Sequence, residues 1–299
     1  MPGVTCANGV GMPLDLETGK YYFRQFVHIA VLTYPNKRSI ITSLQARTNV
    51  AMNSRVAGRT GGVHMAYLSR EDLDNFAEDI LCDFVKAEYP KGHICYNVDP
   101  TRLAQFYGFN ILYVTITRDG SVLGQTSIGE MWTPIIDPMG NDILFFLDGK
   151  TILIDERLNQ NPKCYGRKNF TIAHELAHQF INRSYPQVYG NQCRVISDYR
   201  RSTKPHKEIS DWREWQADAM AAALLLPKEA IDEAMFFFGL GKKIKVLSKK
   251  YSEYKYRCFC EMAEFLQVSK TALAYRLEQL GLLEKNYLIQ EALQRKGVA

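Results

Sequence analysis

The chain has 299 residues, of which 46% are hydrophobic and 23% charged, a composition typical of a globular protein with enough length for one or two domains. No run of about 18 apolar residues occurs, so a membrane-spanning helix is not expected. Residues 1–64 hold seven Lys or Arg and two Asp or Glu, which accounts for the whole net charge of +5. The remaining residues are neutral overall and lack the basic excess typical of a nucleic-acid-binding protein.

Residues 1–64 are predicted to form a poorly ordered basic extension. Outside a short apolar segment, this stretch is rich in Ser, Thr, Asn, Arg and Gly, which bury too little apolar surface to order a chain. A basic arm that binds nucleic acid or lipid is the alternative interpretation. The apolar segment lacks the length and the cleavage site of a signal peptide. The seven cysteines are scattered and odd in number, so we expect reduced thiols and a cytoplasmic protein.

Residues 65–227 are predicted to form an α+β domain. Apolar residues at helical spacing predict an amphipathic helix over residues 69–88, and Asp99 followed by Pro100 predicts the start of a shorter helix. Residues 117–142 are predicted to be rich in loops, and Asp148-Gly149 is predicted to be the turn of a hairpin. The expected strands lie at residues 111–116, 121–127, 143–147 and 151–154. A small, mostly antiparallel sheet would therefore precede the next helix.

That next helix contains the sequence His174-Glu175-Leu176-Ala177-His178. Positions four apart share one face of an α-helix, so both imidazoles can reach a single metal ion. Glu175 lies close enough to act as general base on a water bound to that metal. Five residues in this HExxH pattern also occur by chance on amphipathic helices. The interpretation therefore depends on a further ligand.

Residues 211–226 predict a second helix, which ends at Pro227 and carries two candidate ligands. Glu214 and Asp218 are again four positions apart. One carboxylate can complete a His₂Glu zinc site and leave the fourth position for water. The other can accept the N–H of a ligand histidine and orient its ring. The alternative is that both are surface acids, although the Ala/Leu run of this helix is expected to be buried.

The interval between the two helices offers candidates for a group that stabilises the oxyanion formed during peptide hydrolysis. Four side chains between residues 182 and 210 have suitable donors, and the sequence does not choose among them: Tyr185, Tyr189, Tyr199 and His206. Each of them is also a residue type that commonly serves only in packing or on the surface.

Residues 228–299 are predicted to form a helical C-terminal region. Residues 262–281 follow a helix-turn-helix pattern, with Ser269 as the N-cap of the second helix and Gly281 at its end. As a DNA reader this second helix offers only Lys270 and Arg276, with Glu278 opposing them. Direct DNA binding is possible on this pattern, but docking to protein or packing is the favoured role.

The two motifs together resemble the ImmA/IrrE metallopeptidases. Residues 169–178 resemble the "xFTLAHELGH" helix of that family, and residues 214–227 resemble its "ExEANxFAAxLLMP" helix. The resemblance covers about residues 67–285, and the 35 residues between His178 and Glu214 make a longer interval than is usual in the family. It implies a zincin-like domain with the HExxH helix beside a small sheet, followed by the helix-turn-helix-like segment.

The resemblance also implies a function. His174, His178 and Glu214 would hold Zn²⁺, Asp218 would orient one histidine, and Glu175 would be the catalytic base. Family members cleave helix-turn-helix transcriptional repressors and so derepress genes of mobile elements or of a stress response. The expected protein is a zinc endopeptidase with a protein substrate and no membrane association. The alternative is a non-catalytic zinc-containing transcriptional regulator or protein-binding module.

Overall fold

The computed structural model describes residues 67–89, 96–186, 196–200 and 212–288, and in these ranges the protein is α+β with small sheets. The basic extension predicted for residues 1–64 lies outside the described residues. Within the described ranges, no helix is both long enough and apolar enough to cross a membrane.

Two helices open the described part of the chain, as predicted. Helix α1 spans Arg70–Glu88, and Ser69 forms a capping box with Asp72, in which each backbone N–H donates to the other side chain. Helix α2 spans Pro100–Phe106, and the carboxylate of Asp99 accepts the N–H groups at its start. The buried face of α1 packs in one apolar core with α2 and with residues of two later helices, Tyr165–Ser184 and Trp212–Leu225.

Within the described ranges, the main sheet has four strands in the order β1-β5-β2-β6. These strands are β1 (Asn110–Val114), β2 (Val122–Ser127), β5 (Thr151–Asp155) and β6 (Ile196–Arg200). Strands β1 and β5 are parallel, whereas β2 is antiparallel to both β5 and β6. The sheet is therefore mixed, with two of its three pairings antiparallel.

The predicted hairpin between residues 143–147 and 151–154 is wrong. Strand β4 (Asp142–Asp148) pairs instead with β3 (Glu130–Ile136), which lies in the stretch expected to be mostly loop. The turn at Asp148-Gly149 is present, but the backbone of Gly149 packs directly against Gly129 at the start of the β3–β4 ribbon. All five residues of β5 are buried because β5 is a central strand whose two faces are both covered, with Ile152 and Ile154 in one apolar cluster and Leu153 in another.

The helices that carry the two sequence motifs lie on either side of β6 in the chain. Helix α3 (Arg157–Gln160) and a 3₁₀ turn (Pro162–Cys164) lead into α4 (Tyr165–Ser184), which packs on β2 and β5 and carries the HExxH sequence. Helix α5 (Trp212–Leu225) packs along α4 and α1. Both α4 and α5 contribute to two apolar cores, because Leu176 and Met220 belong to the first core whereas Ala173 and Ala221 belong to the second.

The second core holds the C-terminal elements against α4 and α5. They are α6 (Lys228–Phe237), β7 (Ile244–Leu247), α7 (Glu253–Phe265), α8 (Lys270–Gln279) and β8 (Leu283–Asn286), with β7 and β8 parallel. The predicted N-cap Ser269 accepts the N–H of Ala272, and Gly281 ends the second helix with a φ of 69°. Residues from both sides of the predicted boundary at 227 share this core.

Candidate metal centre

The two histidines of α4 converge on one point. His174 and His178 are completely or almost completely buried, and their rings meet edge to face with centroids 4.7 Å apart. Their Nε2 atoms are 3.1 Å apart. The four-residue spacing on a single helix produces this convergence, as the sequence predicts.

Glu214 supplies a third donor from α5. Its two carboxylate oxygens lie 3.2 Å from Nε2 of His174 and 3.4 Å from Nε2 of His178. One donor atom from each of the three residues lies within 4.8 Å of the other two. The structure thus brings together the three side chains named as candidate ligands from the sequence.

The spacing of the donors fits a metal ion. Ligand atoms at about 2.0–2.1 Å from a tetrahedral ion would be about 3.3 Å apart, close to the separations between these three side chains. Two imidazoles and one carboxylate are a donor set found at catalytic zinc sites, where three protein ligands leave one coordination position open. A metal ion could be held between α4 and α5 by this cluster.

Asp218 contacts the cluster from one helical turn further along α5. Its Oδ1 lies 2.9 Å from Nδ1 of His174, the ring nitrogen that faces away from the donor cluster. A carboxylate in this position accepts the Nδ1–H and keeps Nε2 as the nitrogen with the free lone pair. The sequence allowed either acid to orient a histidine ring. In the structure Asp218 makes this contact, and Glu214 lies among the candidate ligand atoms.

The electrostatics of the cluster reflect three ionisable groups in a small buried space. Burial by itself would lower the pKa of His174, but the hydrogen bonds that its ring donates to the Asp218 and Glu214 carboxylates outweigh burial and raise this pKa to about 10. Burial lowers the pKa of His178, and the neighbouring His174 adds to that effect. Although burial opposes it, hydrogen bonding to both histidines holds the pKa of Glu214 well below its usual value. In the metal-free chain the cluster therefore retains a proton that a cation would have to displace.

Glu175 is completely buried between α4 and strand β2. A Cβ atom at Gly124 of β2 would lie 2.9 Å from the Glu175 carboxylate and 2.6 Å from the methyl group of Thr171. Only a residue without a side chain allows the helix to approach this strand so closely. Sequence reasoning missed Gly124, although a lone glycine inside a predicted strand is a signal of close approach.

Gln179 joins the same helix to the same strand. Its side-chain amide donates to the hydroxyl of Thr126 at 2.6 Å and to the carbonyl of Ser127 at 2.9 Å. Sequence reasoning did not single out this residue. Together with the contact at Gly124, these bonds hold β2 against the face of α4 that carries Glu175.

Of the two candidate oxyanion donors that lie in the described ranges, Tyr199 is the one next to the metal centre. Its ring centroid lies 4.4 Å from that of His174, and burial together with the nearby charge of Asp218 raises its pKa. Tyr185 packs against Phe76 in the apolar core. Tyr189 and His206 lie outside the described residues.

In the C-terminal helix pair α7/α8, a buried charged side chain is paired with another residue of the protein. Arg276, a candidate DNA contact by sequence, is only 3% exposed and donates to the carboxylate of Asp74 at 2.7 Å and to the carbonyl of Leu226 at 3.2 Å. These bonds tie α8 to α1 and to the end of α5. Arg276 is therefore unavailable to a nucleic acid in this structure, whereas Lys270 is exposed.

Comparison with known proteins agrees with this geometry. Residues 136–278 match the family model Peptidase_M78, described as the IrrE N-terminal-like domain. The match runs from the end of β3 to α8, a narrower range than the resemblance seen in the sequence, and includes both helices of the metal centre. The search of curated proteins found no match. The part of the chain that holds the candidate metal centre, residues 136–278, thus belongs to the ImmA/IrrE family of metallopeptidases.

Proposed function

We propose that the chain is a zinc-dependent endopeptidase. The observation that carries this proposal is the convergence of His174, His178 and Glu214, from two helices, beside the buried carboxylate of Glu175. A purely structural site of the same ligands would need no carboxylate in that position. The family match to a peptidase domain supports the same conclusion.

The ligand roles follow from the contacts. His174, His178 and Glu214 would hold Zn²⁺, and Asp218 would fix the orientation and tautomer of His174. A bound zinc ion would lower the pKa of its water to about 7 and polarise the scissile carbonyl. Because Gly124 has no side chain, α4 can approach β2 so closely that the Glu175 carboxylate is buried against this strand.

Glu175 would carry out the proton transfers of peptide hydrolysis. Its carboxylate takes a proton from the attacking water and later delivers it to the nitrogen of the leaving amine. The hydrogen bonds of Gln179 to β2 keep this strand in place against the Glu175 carboxylate. The family resemblance supplies the substrate class, a helix-turn-helix transcriptional repressor whose cleavage would derepress mobile-element or stress-response genes.

The test is a map of new protein N-termini in host cells, with and without DNA damage. Cells that express the wild type are compared with cells that express Glu175→Gln at the same level. We expect a terminus inside a helix-turn-helix repressor that is present only with the wild type. Identical maps from a wild-type protein that holds one zinc per chain would instead favour the non-catalytic regulator or binding module.

A further inference from the structure

Strand β2 is the part of the sheet that lies nearest the proposed base. Its Gly124 contacts Glu175, and Thr126 and Ser127 accept bonds from Gln179 of the same helix. One edge of β2 pairs with β5. The other edge is the one beside the metal centre, and a peptide bound there in extended form would run past the ligands.

Strand β6 occupies that edge. It pairs with β2 in antiparallel orientation, and the register places Tyr199 opposite Gly124. The ring of Tyr199 then lies over His174, with centroids 4.4 Å apart. The residue opposite Gly124 thus reaches the metal ligands, which is where the scissile region of a peptide paired with β2 would be.

Strand β6 is also an edge strand of the main sheet. It has five residues, β2 is its sole partner among the described strands, and its register shifts between Val122 and Gly124. Short strands at the edge of a sheet open at lower free-energy cost than central ones. An incoming strand could re-form the backbone bonds to β2 that β6 gives up.

We infer that β6 is an internal competitor, which occupies the place of the substrate strand on β2 and keeps the peptidase latent. The inference rests on the proposed function, because it identifies the edge of β2 as the surface that binds the substrate backbone. Because β6 belongs to the same chain, it competes for the edge of β2 as an intramolecular partner, at an effective concentration of about millimolar. An ordinary peptide would then compete poorly, whereas a protein substrate with additional contacts could displace β6.

Two adjacent proline substitutions provide a matched test. Successive residues of an antiparallel strand direct their N–H groups alternately toward and away from the neighbouring strand. Of Ser197→Pro and Asp198→Pro, one therefore removes a bond to β2 and the other removes an outward N–H.

The probe is fluorescein-labelled alanyl-leucyl-alanine hydroxamate, whose hydroxamate binds zinc while its backbone can pair with β2. Its affinity for the zinc-loaded full chain is measured by fluorescence anisotropy.

We expect one proline variant to bind the probe about tenfold more tightly than the wild type, and the other to resemble the wild type. Hydrogen exchange of the wild type provides a readout that needs no variant. The probe should speed exchange at the amides of β6 while those of β2 stay protected. Equal affinities in all three proteins, with protection of β6 unchanged or increased by the probe, would overturn the inference and make β6 a permanent strand.

Zinc content separates this result from the proposed function. If the wild type holds one zinc per chain and the affinities are equal, the inference alone fails. If the wild type binds no zinc, the proposed function fails and the inference fails with it. Thermal unfolding of both proline variants confirms that they are folded before the affinities are compared.

Discussion

The helix pairs α4/α5 and α7/α8 bury different kinds of side chain. Where α4 meets α5, the buried groups include His174, His178 and Glu175, and removal of such groups from water costs free energy that packing alone does not return. Where α7 meets α8, the interior is apolar, with Phe259 and Leu277 fully buried. Buried polar groups that converge on one point indicate a site, whereas the second pair is built as a packing unit.

Arg276 is a buried charged side chain of the second pair, and its environment differs from that of the groups buried in the first pair. It is neutralised by Asp74 within the chain, so it points to no external ligand. The donors of the first pair instead face one another at separations suited to a cation. We therefore expect substitutions in α4/α5 to affect metal binding and cleavage, and substitutions in α7/α8 to affect stability.

The largest effect is expected from Glu175→Gln. The amide keeps the shape of the side chain but cannot accept the proton of the attacking water, so cleavage should fall by about 10²–10⁴-fold. Zinc content, measured by atomic emission, should stay at that of the wild type because Glu175 is not a ligand. Glu229→Gln, on the exposed surface of α6, is the control and should leave cleavage unchanged. Zinc loss in Glu175→Gln would contradict the role assigned to this residue.

Glu214→Ala should abolish stoichiometric zinc binding, because it removes one of the three converging donors. Equilibrium dialysis against zinc measures the effect. Glu278→Ala makes the same chemical change on the exposed side of α8 and should bind zinc as the wild type does. Normal zinc binding by Glu214→Ala would assign the third ligand to another residue.

The metal-free chain should be most stable near pH 6.5. The raised pKa of His174 contributes stability that is complete below pH 6.5 and is lost as the pH rises toward about 10. The lowered pKa values of His178 and Glu214 contribute stability that is lost as the pH falls, below 6.5 for the histidine and below 4.5 for the acid. Thermal unfolding of the chelator-treated protein across this range measures both limbs. A melting temperature that rises between pH 6.5 and 10 would contradict the sign derived for His174.

Asp218→Asn should weaken zinc binding by about 10–100-fold without removing a ligand. An amide can present its N–H₂ to Nδ1 and so favour the wrong tautomer of His174, which reduces the availability of Nε2 to the metal. Competition with a zinc-binding dye measures the affinity. Asp232→Asn, on the exposed side of α6, controls for the loss of one negative charge. An unchanged affinity would show that Asp218 does not orient the ring.

The difference between local and distant interactions explains how much was predictable from the sequence. The ligand helix and the paired acids follow from spacings of four residues, and the caps of three other helices, Ser69, Asp99 and Ser269, follow from equally local patterns. The partner of β4 does not, because apolar strands lie on both sides of β4 in the sequence, and its pairing with β3 rather than β5 is a tertiary contact that local spacing does not encode. The position of Tyr199 beside His174 likewise depends on the pairing of β6 with β2, which is a long-range contact.

The smallest effect is expected from Arg276→Met, which should change the stability of the protein and not its metal centre. Methionine keeps the apolar stem but loses the bonds to Asp74 and to the carbonyl of Leu226, which should lower the free energy of unfolding by about 1–3 kcal/mol. Chemical denaturation measures this change, and Arg257→Met, on the exposed surface of α7, is the matched control. Zinc affinity should be unchanged, because Arg276 contacts none of the donors. A variant that unfolded normally but lost zinc would mean that the two helix pairs are coupled, and the division between a metal centre and a packing unit would then be incorrect.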